Sequence, residues 1–222
     1  MRIPSCYLRL AVIGFTVLSS VLFTTMNGAA EEKAENGWRP LFDGKSLTGW
    51  KSANFGGEGE VRAADGQIEL DAGNTLTGVT WQKEFPKTNY EIRLEAMQVD
   101  GNDFFCGLTF PVADSHCSFI VAGWGGSVVG LSNIDGMDAS DNQTTRYQSF
   151  KQKQWYKIRV RVAPTLIEAW IDDKQVVKQD ITGRKITIRP EVELSRPLGI
   201  SAWQTKAFLR KIEYRELPAK KP

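Results

Sequence analysis

Hydrophobic and polar residues alternate with a period of two along most of the chain after residue 30. Tyr90–Ala96 and Trp155–Val162 show this pattern most clearly. A period of two is that of a β-strand with one face buried. The same alternation predicts further strands over Leu166–Asp172, Ile186–Ile188, Leu198–Trp203 and Phe208–Tyr214.

Turn-forming residues separate these segments. They are Asp43-Gly44, Asp65-Gly66, Asp100-Gly101-Asn102, Asp135-Gly136, Asp172-Asp173 and Thr182-Gly183. Short strands with such spacing, and no sustained helical period after residue 30, predict an all-β fold built as a sandwich of two antiparallel sheets. A length of 222 residues without an internal repeat suits one domain with a substantial core.

The first 30 residues have the layout of a targeting segment. Arg2 and Arg9 precede an apolar run over Leu10–Phe23, and small residues end at Ala30. This order predicts a signal peptide, with an uncleaved anchor as the alternative. The predicted organisation is a signal peptide (1–30), a flexible lead-in (31–37), one domain (38–217) and a tail (218–222). We therefore expect a secreted or periplasmic protein with no stable membrane span after cleavage.

Composition and net charge exclude some classes of protein and of binding partner. Hydrophobic residues make up 41% of the chain and charged residues 24%, which excludes a disordered or collagen-like chain. The leader holds two of the 28 Lys and Arg residues, so 26 remain against 26 Asp and Glu. A neutral chain lacks the basic surface that binds phosphate backbones, and no nucleic-acid partner is expected.

Two cysteines, Cys106 and Cys117, remain after the leader. They flank a turn-like stretch between two apolar runs, where a hairpin would bring them near each other. Export permits a disulfide, but a slip of one residue in register would turn both side chains to the other face. A disulfide and two separate buried thiols both remain open.

The segment Gly37–Trp50, which reads GWRPLFDGKSLTGW, resembles the opening motif of the 3-keto-disaccharide hydrolase domain family. The resemblance continues through Asp65-Gly66, Tyr90–Ala96, Trp155–Ile158, Ala169–Asp172 and Leu209–Ile212. It implies a concanavalin-like jelly roll whose concave face holds a sugar. It also implies an exported hydrolase that acts on 3-keto-glycosides or disaccharides.

This chain departs from the family pattern at three places. Phe105–Phe110 lacks the arginine of the family's corresponding strand, and Ser118–Gly126 lacks its carboxylates. Ser201 and Trp203 stand where members often have Gln and His. These departures favour the alternative of a non-catalytic, lectin-like carbohydrate-binding module, and a structural envelope domain is a third possibility.

Charged residues on the predicted outer strand faces are the catalytic candidates. Glu95 or Glu168 would abstract the acidic proton beside the ketone, and Arg93 would stabilise the enolate that develops. Glycoside hydrolysis would instead need two carboxyl groups that face each other across the scissile bond. The alternative is a solvated face of cross-strand ion pairs.

Aromatic residues are the candidates for saccharide binding. Trp124, Trp170 and Trp203 would form a platform for the apolar face of a sugar, and the alternative is that they fill the core. Trp124 lies among glycines that permit a close approach of ligand or backbone. His116, the only histidine, is either a proton shuttle or an ordinary surface residue.

A segment rich in oxygen ligands contains Asp135, Asp138 and Asp141. Calcium binds such loops, but Asp and Asn also stabilise plain turns. Asn142-Gln143-Thr144 fits a glycosylation acceptor, which matters only in a eukaryotic secretory route. Apart from calcium, no cofactor is predicted; the expected partner is a saccharide or an oxidised glycoside.

Overall fold

Two antiparallel sheets make up the fold, and the computed structural model describes residues 37–218 of the chain. Sheet A contains, in spatial order, β13 (Lys174–Asp180), β12 (Leu166–Ile171), β11 (Trp155–Ala163), β6 (Tyr90–Asp100), β15 (Lys206–Glu216), β4 (Gln67–Leu70) and β3 (Val61–Ala64); β1 (Arg39–Pro40) also pairs with β15. Sheet B contains β10 (Arg146–Tyr147), β9 (Val128–Ser132), β8 (Ser115–Ala122), β7 (Cys106–Val112), β14 (Gly199–Trp203), β5 (Leu76–Trp81) and β2 (Trp50–Ser52).

The core lies between the two sheets. Every second residue of β6 from Tyr90 to Ala96 belongs to it, and sheet B contributes Leu108, Phe110 and Phe119 in the same way. The intervening residues therefore point outward from the sandwich. This arrangement confirms the all-β sandwich that the alternation predicted.

Most predicted strands occur at or near their predicted positions, with two exceptions. Ile186–Ile188 forms no strand, because Ile186 makes only a single bridge to Ile134. The strand that begins near Ser118 ends at Ala122, and Gly123–Gly126 forms a short helical turn, α1. Positive φ angles at Trp124 and at its neighbours end the ladder there.

A 3₁₀ helix over Pro190–Ser195, which we call the strap, lies on the outer side of sheet B. Thr80 on β5 donates its hydroxyl to the carbonyl of Leu194 at 2.7 Å. A Cβ at position 199 would lie 2.6 Å from the carbonyl oxygen of Ser195, so glycine at the start of β14 lets the strap approach the sheet.

The N-terminal predictions lie outside the described residues, since the signal peptide and nearly all of the lead-in precede residue 37. Export therefore stays a prediction. Within residues 37–218, no helix has the length and apolar character needed to cross a bilayer.

The two cysteines are separate buried thiols. Cys106 pairs in register with Val121 and Cys117 with Phe110, so four residues separate the cysteines along the ladder. That offset is about 13 Å at 3.3 Å per residue, beyond the reach of a disulfide. Burial raises the pKa of both thiols, that of Cys117 to about 12.

Candidate functional site

Arg93 and Glu95, two of the predicted catalytic residues, lie on the outer face of sheet A in ion pairs with β15. Arg93 donates from Nε to Glu213 at 2.6 Å, and Glu95 accepts from Arg210 at 2.7 Å and Lys211 at 2.8 Å. Burial raises the pKa of Glu95, but the hydrogen bonds from Lys211 and Arg210 outweigh burial and the pKa is lowered. A lowered pKa makes this carboxylate a weaker general base.

Glu168 and Trp170 also lie on the outer face of sheet A, and both have partners there. Glu168 accepts from Gln175 at 2.9 Å and has the guanidinium of Arg161 at 3.8 Å. The guanidinium of Arg159 lies 3.7 Å from the centroid of the Trp170 ring. Arg159 therefore covers one face of this indole.

The same arrangement extends over the rest of this face. Arginines cover Trp155 and Trp38 at 3.9 and 4.0 Å from their ring centroids. Glu91 is buried between Arg159 and Arg215, whose nitrogens lie 3.0 and 2.7 Å from its oxygens. We call this surface the ionic face; it matches the predicted alternative of cross-strand ion pairs.

The outer face of sheet B contains a cavity of about 240 Å³, which we call the groove. Ser118 and Ile120 of β8 and Ser132 of β9 line its floor. The hydroxyls of Ser118 and Thr109, opposite each other on β8 and β7, lie 2.8 Å apart. Small side chains therefore leave open space above this part of the sheet.

Aromatic rings form one side of the groove: Phe104, Trp124 and Trp203. Trp124 is 41% exposed and has a φ of 48°, in the left-handed region that non-glycine residues rarely adopt. Asp103, which also lines the groove, accepts a hydrogen bond from the N–H of Gly125 at 3.1 Å. An exposed indole in a costly backbone conformation points to a role in ligand contact.

Charged residues of the strap region form the other side. Arg189 donates to Glu191 at 2.8 Å and to Asp138 at 3.0 Å, and so joins the strap to the neighbouring loop. The hydrogen bond from Arg189 lowers the pKa of Glu191. Among the residues that line the groove, Asp103 and Glu191 are the carboxylates, and the sequence analysis identified neither of them.

The three predicted calcium ligands have separate surroundings, so calcium binding by them stays a prediction. Asp135 accepts from the backbone of Lys185 at 2.8 Å and from Arg184 at 2.7 Å, and these hydrogen bonds lower its pKa. Asp138 is paired with Arg189, as above, and Asp141 is exposed. Arginines thus pair with two of the three carboxylates, and residues 37–218 contain no cluster of three or more His, Cys, Asp or Glu that would hold a metal.

The side chain of Asn142 has a structural role. It is buried and donates to the carbonyls of Leu131 and Asp138, both at 2.7 Å. This amide therefore holds the turn against β9, and it is not available as a glycosylation acceptor. The plain-turn interpretation of this segment accounts for its Asp and Asn residues.

His116 lies on the outer face of β8, two residues before Ser118, but lines a different cavity. The strap separates the two cavities. Of the predicted site residues, the structure brings Trp124 and Trp203 together in the groove, and it places Arg93, Glu95, Glu168 and Trp170 on the opposite, ionic face. One groove that contains both sets does not exist, because the core lies between them.

The sequence contained a pattern that indicates the groove, but this pattern was less conspicuous than the charged residues of the ionic face. Many outward positions of β5, β7, β8, β9 and β14 carry glycine, serine or threonine in alternation with core residues, such as Gly107, Thr109, Ser118, Gly130 and Ser201. The departures from the family pattern also fall in this sheet, at Ser118, Ser201 and Trp203. Ser201 is buried and its hydroxyl has no hydrogen-bond partner.

A model of the 3-keto-alpha-glucoside-1,2-lyase-like domain matches residues 37–215. No curated protein matches the chain with significance. The family match covers both sheets, the groove and the strap.

Solved structures with the same fold have low sequence identity to this chain. A carbohydrate-binding module from Bacillus subtilis has a TM-score of 0.53 and 12% identity, and the alignment covers 76% of this chain and 96% of that one. An endo-acting O-glycanase from the human gut microbiota has a TM-score of 0.55 and 12% identity, over 81% and 100%. A Bacillus subtilis protein of unknown function with a galectin-like fold has a TM-score of 0.54 and 10% identity, over 78% and 92%. At these identities the likeness establishes the fold.

Proposed function

Because the chain belongs to the 3-keto-alpha-glucoside-1,2-lyase-like family, we propose that it is an exported protein that binds a saccharide in the groove of sheet B. The observation that carries this proposal is Trp124, which is held exposed beside the cavity in a left-handed conformation. Its indole and that of Trp203 would contact the apolar face of a sugar ring, and the hydroxyls of Ser118 and Ser132 would bond its hydroxyl groups. A carbohydrate-binding module and an O-glycanase share this fold.

The charges around the groove favour a neutral sugar. Arg189 is balanced by Glu191 and Asp138, and Asp103 adds a further negative charge on the aromatic side. An anionic sugar would meet more negative than positive charge there. Carboxylates suit the hydroxyl groups of a neutral glycan, since they accept strong hydrogen bonds.

Binding without hydrolysis suits the groove best. Hydrolysis would need one carboxyl group as acid and a second as base or nucleophile. Asp103 accepts the N–H groups of Phe104 at 2.7 Å and of Gly125 at 3.1 Å, so it organises the loop that carries Trp124. Glu191 is paired with Arg189 and has a lowered pKa, which suits neither a general acid nor a strong base.

Cleavage of 3-keto-glycosides is the second candidate, and family membership favours it. The ketone acidifies the neighbouring C–H, so a single base would start elimination of the leaving sugar. In the groove, Glu191 would be that base and Arg189 would stabilise the enolate. These residues would replace Glu95 and Arg93, which lie on the ionic face.

Binding is tested with purified protein and a panel of trehalose, maltose, cellobiose and their 3-keto derivatives, measured by titration calorimetry. We expect Trp124→Ala to weaken binding at least tenfold with a nearly unchanged melting temperature. The matched control is Trp170→Ala on the ionic face, which should leave affinity unchanged. Equal loss in both variants, or no binding to any member of the panel, would reject the groove as the saccharide site.

Turnover is tested on the same 3-keto disaccharides by the release of free sugar. Binding without turnover favours the lectin-like function. Turnover that Glu191→Gln abolishes while Glu95→Gln leaves it intact would establish the second candidate. Loss of turnover in Glu95→Gln alone would move the chemistry to the ionic face.

A further inference from the structure

A second cavity, of about 660 Å³, lies on the outer face of sheet B on the other side of the strap from the groove. His116 lines this second cavity and Ser118 lines the groove, although the two residues point the same way from β8. Glu191 and Val192 of the strap face the groove, and Glu193 and Leu194 face the second cavity. The strap thus divides one sheet face into two sites.

The lining of the second cavity is basic. Lys51, His116 and Arg196 contribute to it, and its single carboxylate, Glu193, is paired with Arg196. The amides of Asn54 and Gln82 and the hydroxyl of Ser52 also line it. The groove has the opposite balance, with Asp103 and Glu191 against Arg189.

The charges near His116 agree with a positive electrostatic potential in this cavity. Burial lowers the pKa of His116, and the charges of Arg196 and Lys87 lower it further. Lys87 pairs at 2.9 Å with Asp114, which is nearly fully exposed. The two cations that act on the imidazole, Arg196 and Lys87, are thus paired with Glu193 and Asp114, and Lys51 on β2 lines the same cavity.

We propose that this basic cavity is a binding site for an oxyanion, such as a carboxylate, a sulfate ester or a phosphate ester. Lys51 supplies a charge without a carboxylate partner among the described residues, and Arg196 supplies a guanidinium to the same cavity. The imidazole N–H and the amides donate further hydrogen bonds. This proposal does not depend on the groove binding a saccharide.

His116 is the only histidine of the chain, so it provides a single NMR probe for the test. The imidazole resonance of protein without a histidine tag is followed during titration with sodium sulfate, sodium phosphate or sodium glucuronate at constant ionic strength. We expect a saturable shift and a raised pKa of His116 with bound anion, because a nearby anion favours the protonated imidazole. Sodium chloride and neutral glucose are the control titrants.

Variants separate a site from a general salt effect. Lys51→Gln should weaken anion binding at least fivefold, and Lys178→Gln, an equally exposed lysine on sheet A, should leave it unchanged. Because Arg196→Gln alone would free Glu193, the second variant is Arg196→Gln combined with Glu193→Gln, which should weaken binding further. Saturation with glucuronate alone identifies a carboxylate site, and saturation with sulfate or phosphate alone identifies an ester site. A linear shift like that with chloride, or saturation unchanged by Lys51→Gln, would overturn the proposal.

Discussion

The two outer faces of the sandwich have the same backbone pattern and opposite properties. On sheet A, outward positions carry arginine, glutamate and tryptophan, and these long side chains pair with one another across strands. On sheet B, many outward positions carry glycine, serine or threonine, and the space above them holds the strap and two cavities. Both faces follow from the period of two along each strand.

The difference shows that many charged side chains along a strand do not by themselves indicate a ligand-binding site. Charged residues on neighbouring strands pair with each other, as Glu91 does with Arg215, opposite it in register, and with Arg159, two positions along β11 from its register partner Arg161. Small residues leave room for groups supplied by distant loops, such as Trp124 and Arg189. We therefore expect substitutions on the ionic face to change stability, and substitutions on the groove face to change binding.

Glu91→Gln should have the largest effect. The change removes the charge between two arginines at a site that is 3% exposed. Breaking a buried pair costs about 3–5 kcal/mol, and because both arginines are about one-third exposed we expect a loss of about 2–3 kcal/mol in the free energy of unfolding. Chemical denaturation measures it.

The matched control is Glu216→Gln, whose partner Arg39 is as exposed as the glutamate itself. An exposed pair contributes less than about 1 kcal/mol, so this variant should unfold almost as the unchanged protein does. Saccharide affinity should stay the same in both variants. A tenfold weaker affinity in Glu91→Gln with an intact fold would place the binding site on the ionic face.

Comparison of Trp203→Ala with Trp155→Ala tests the difference between the two faces at two half-buried tryptophans. Trp203 lines the groove, and we expect its loss to weaken saccharide affinity about fivefold to tenfold, or about 1–1.4 kcal/mol. Trp155 stacks with Arg210 on the ionic face, and its loss should lower the melting temperature and leave affinity unchanged. Calorimetric titration and thermal unfolding of each variant supply both readouts; the reverse pattern would contradict the assignment of the two faces.

The pH dependence of Glu95 should give the smallest effect, below about 1 kcal/mol, because Lys211 is well exposed. The pKa of Glu95 is lower in the folded state than the ordinary glutamate value of 4.5. Its contribution to stability is therefore present above pH 4.5 and is lost as the pH falls through the lowered folded-state pKa. Unfolding of Glu95→Gln and of the unchanged protein at pH 2–7 should converge at the acidic end. A gap that stays constant over this range would show that Glu95 gains nothing from its cationic partners.

Much of the fold could be predicted from local pattern. The alternation in Tyr90–Ala96 and Trp155–Val162 located β6 and β11, because burial of one strand face leaves a direct mark in the sequence. Ile186–Ile188 shows a similar alternation but forms no strand, since apolar residues of a short segment can also be buried within a loop. The candidate site was only partly predictable: Trp124 and Trp203 were identified, but Asp103, Arg189 and Glu191 lie in segments without a periodic pattern.

The sequence by itself determined that the chain is an all-β sandwich and which residues of each strand share a face, because the strand period of two is local. Only the tertiary structure decided which sheet holds each strand, and so that Glu95 and Trp124 lie on opposite sides of the core. Pairing between β6 and β15, or between β7 and β14, depends on the packing of residues far apart in the chain. The same local period of two therefore produced a face of ion pairs on one sheet and, on the other, a face with many small residues beneath the strap.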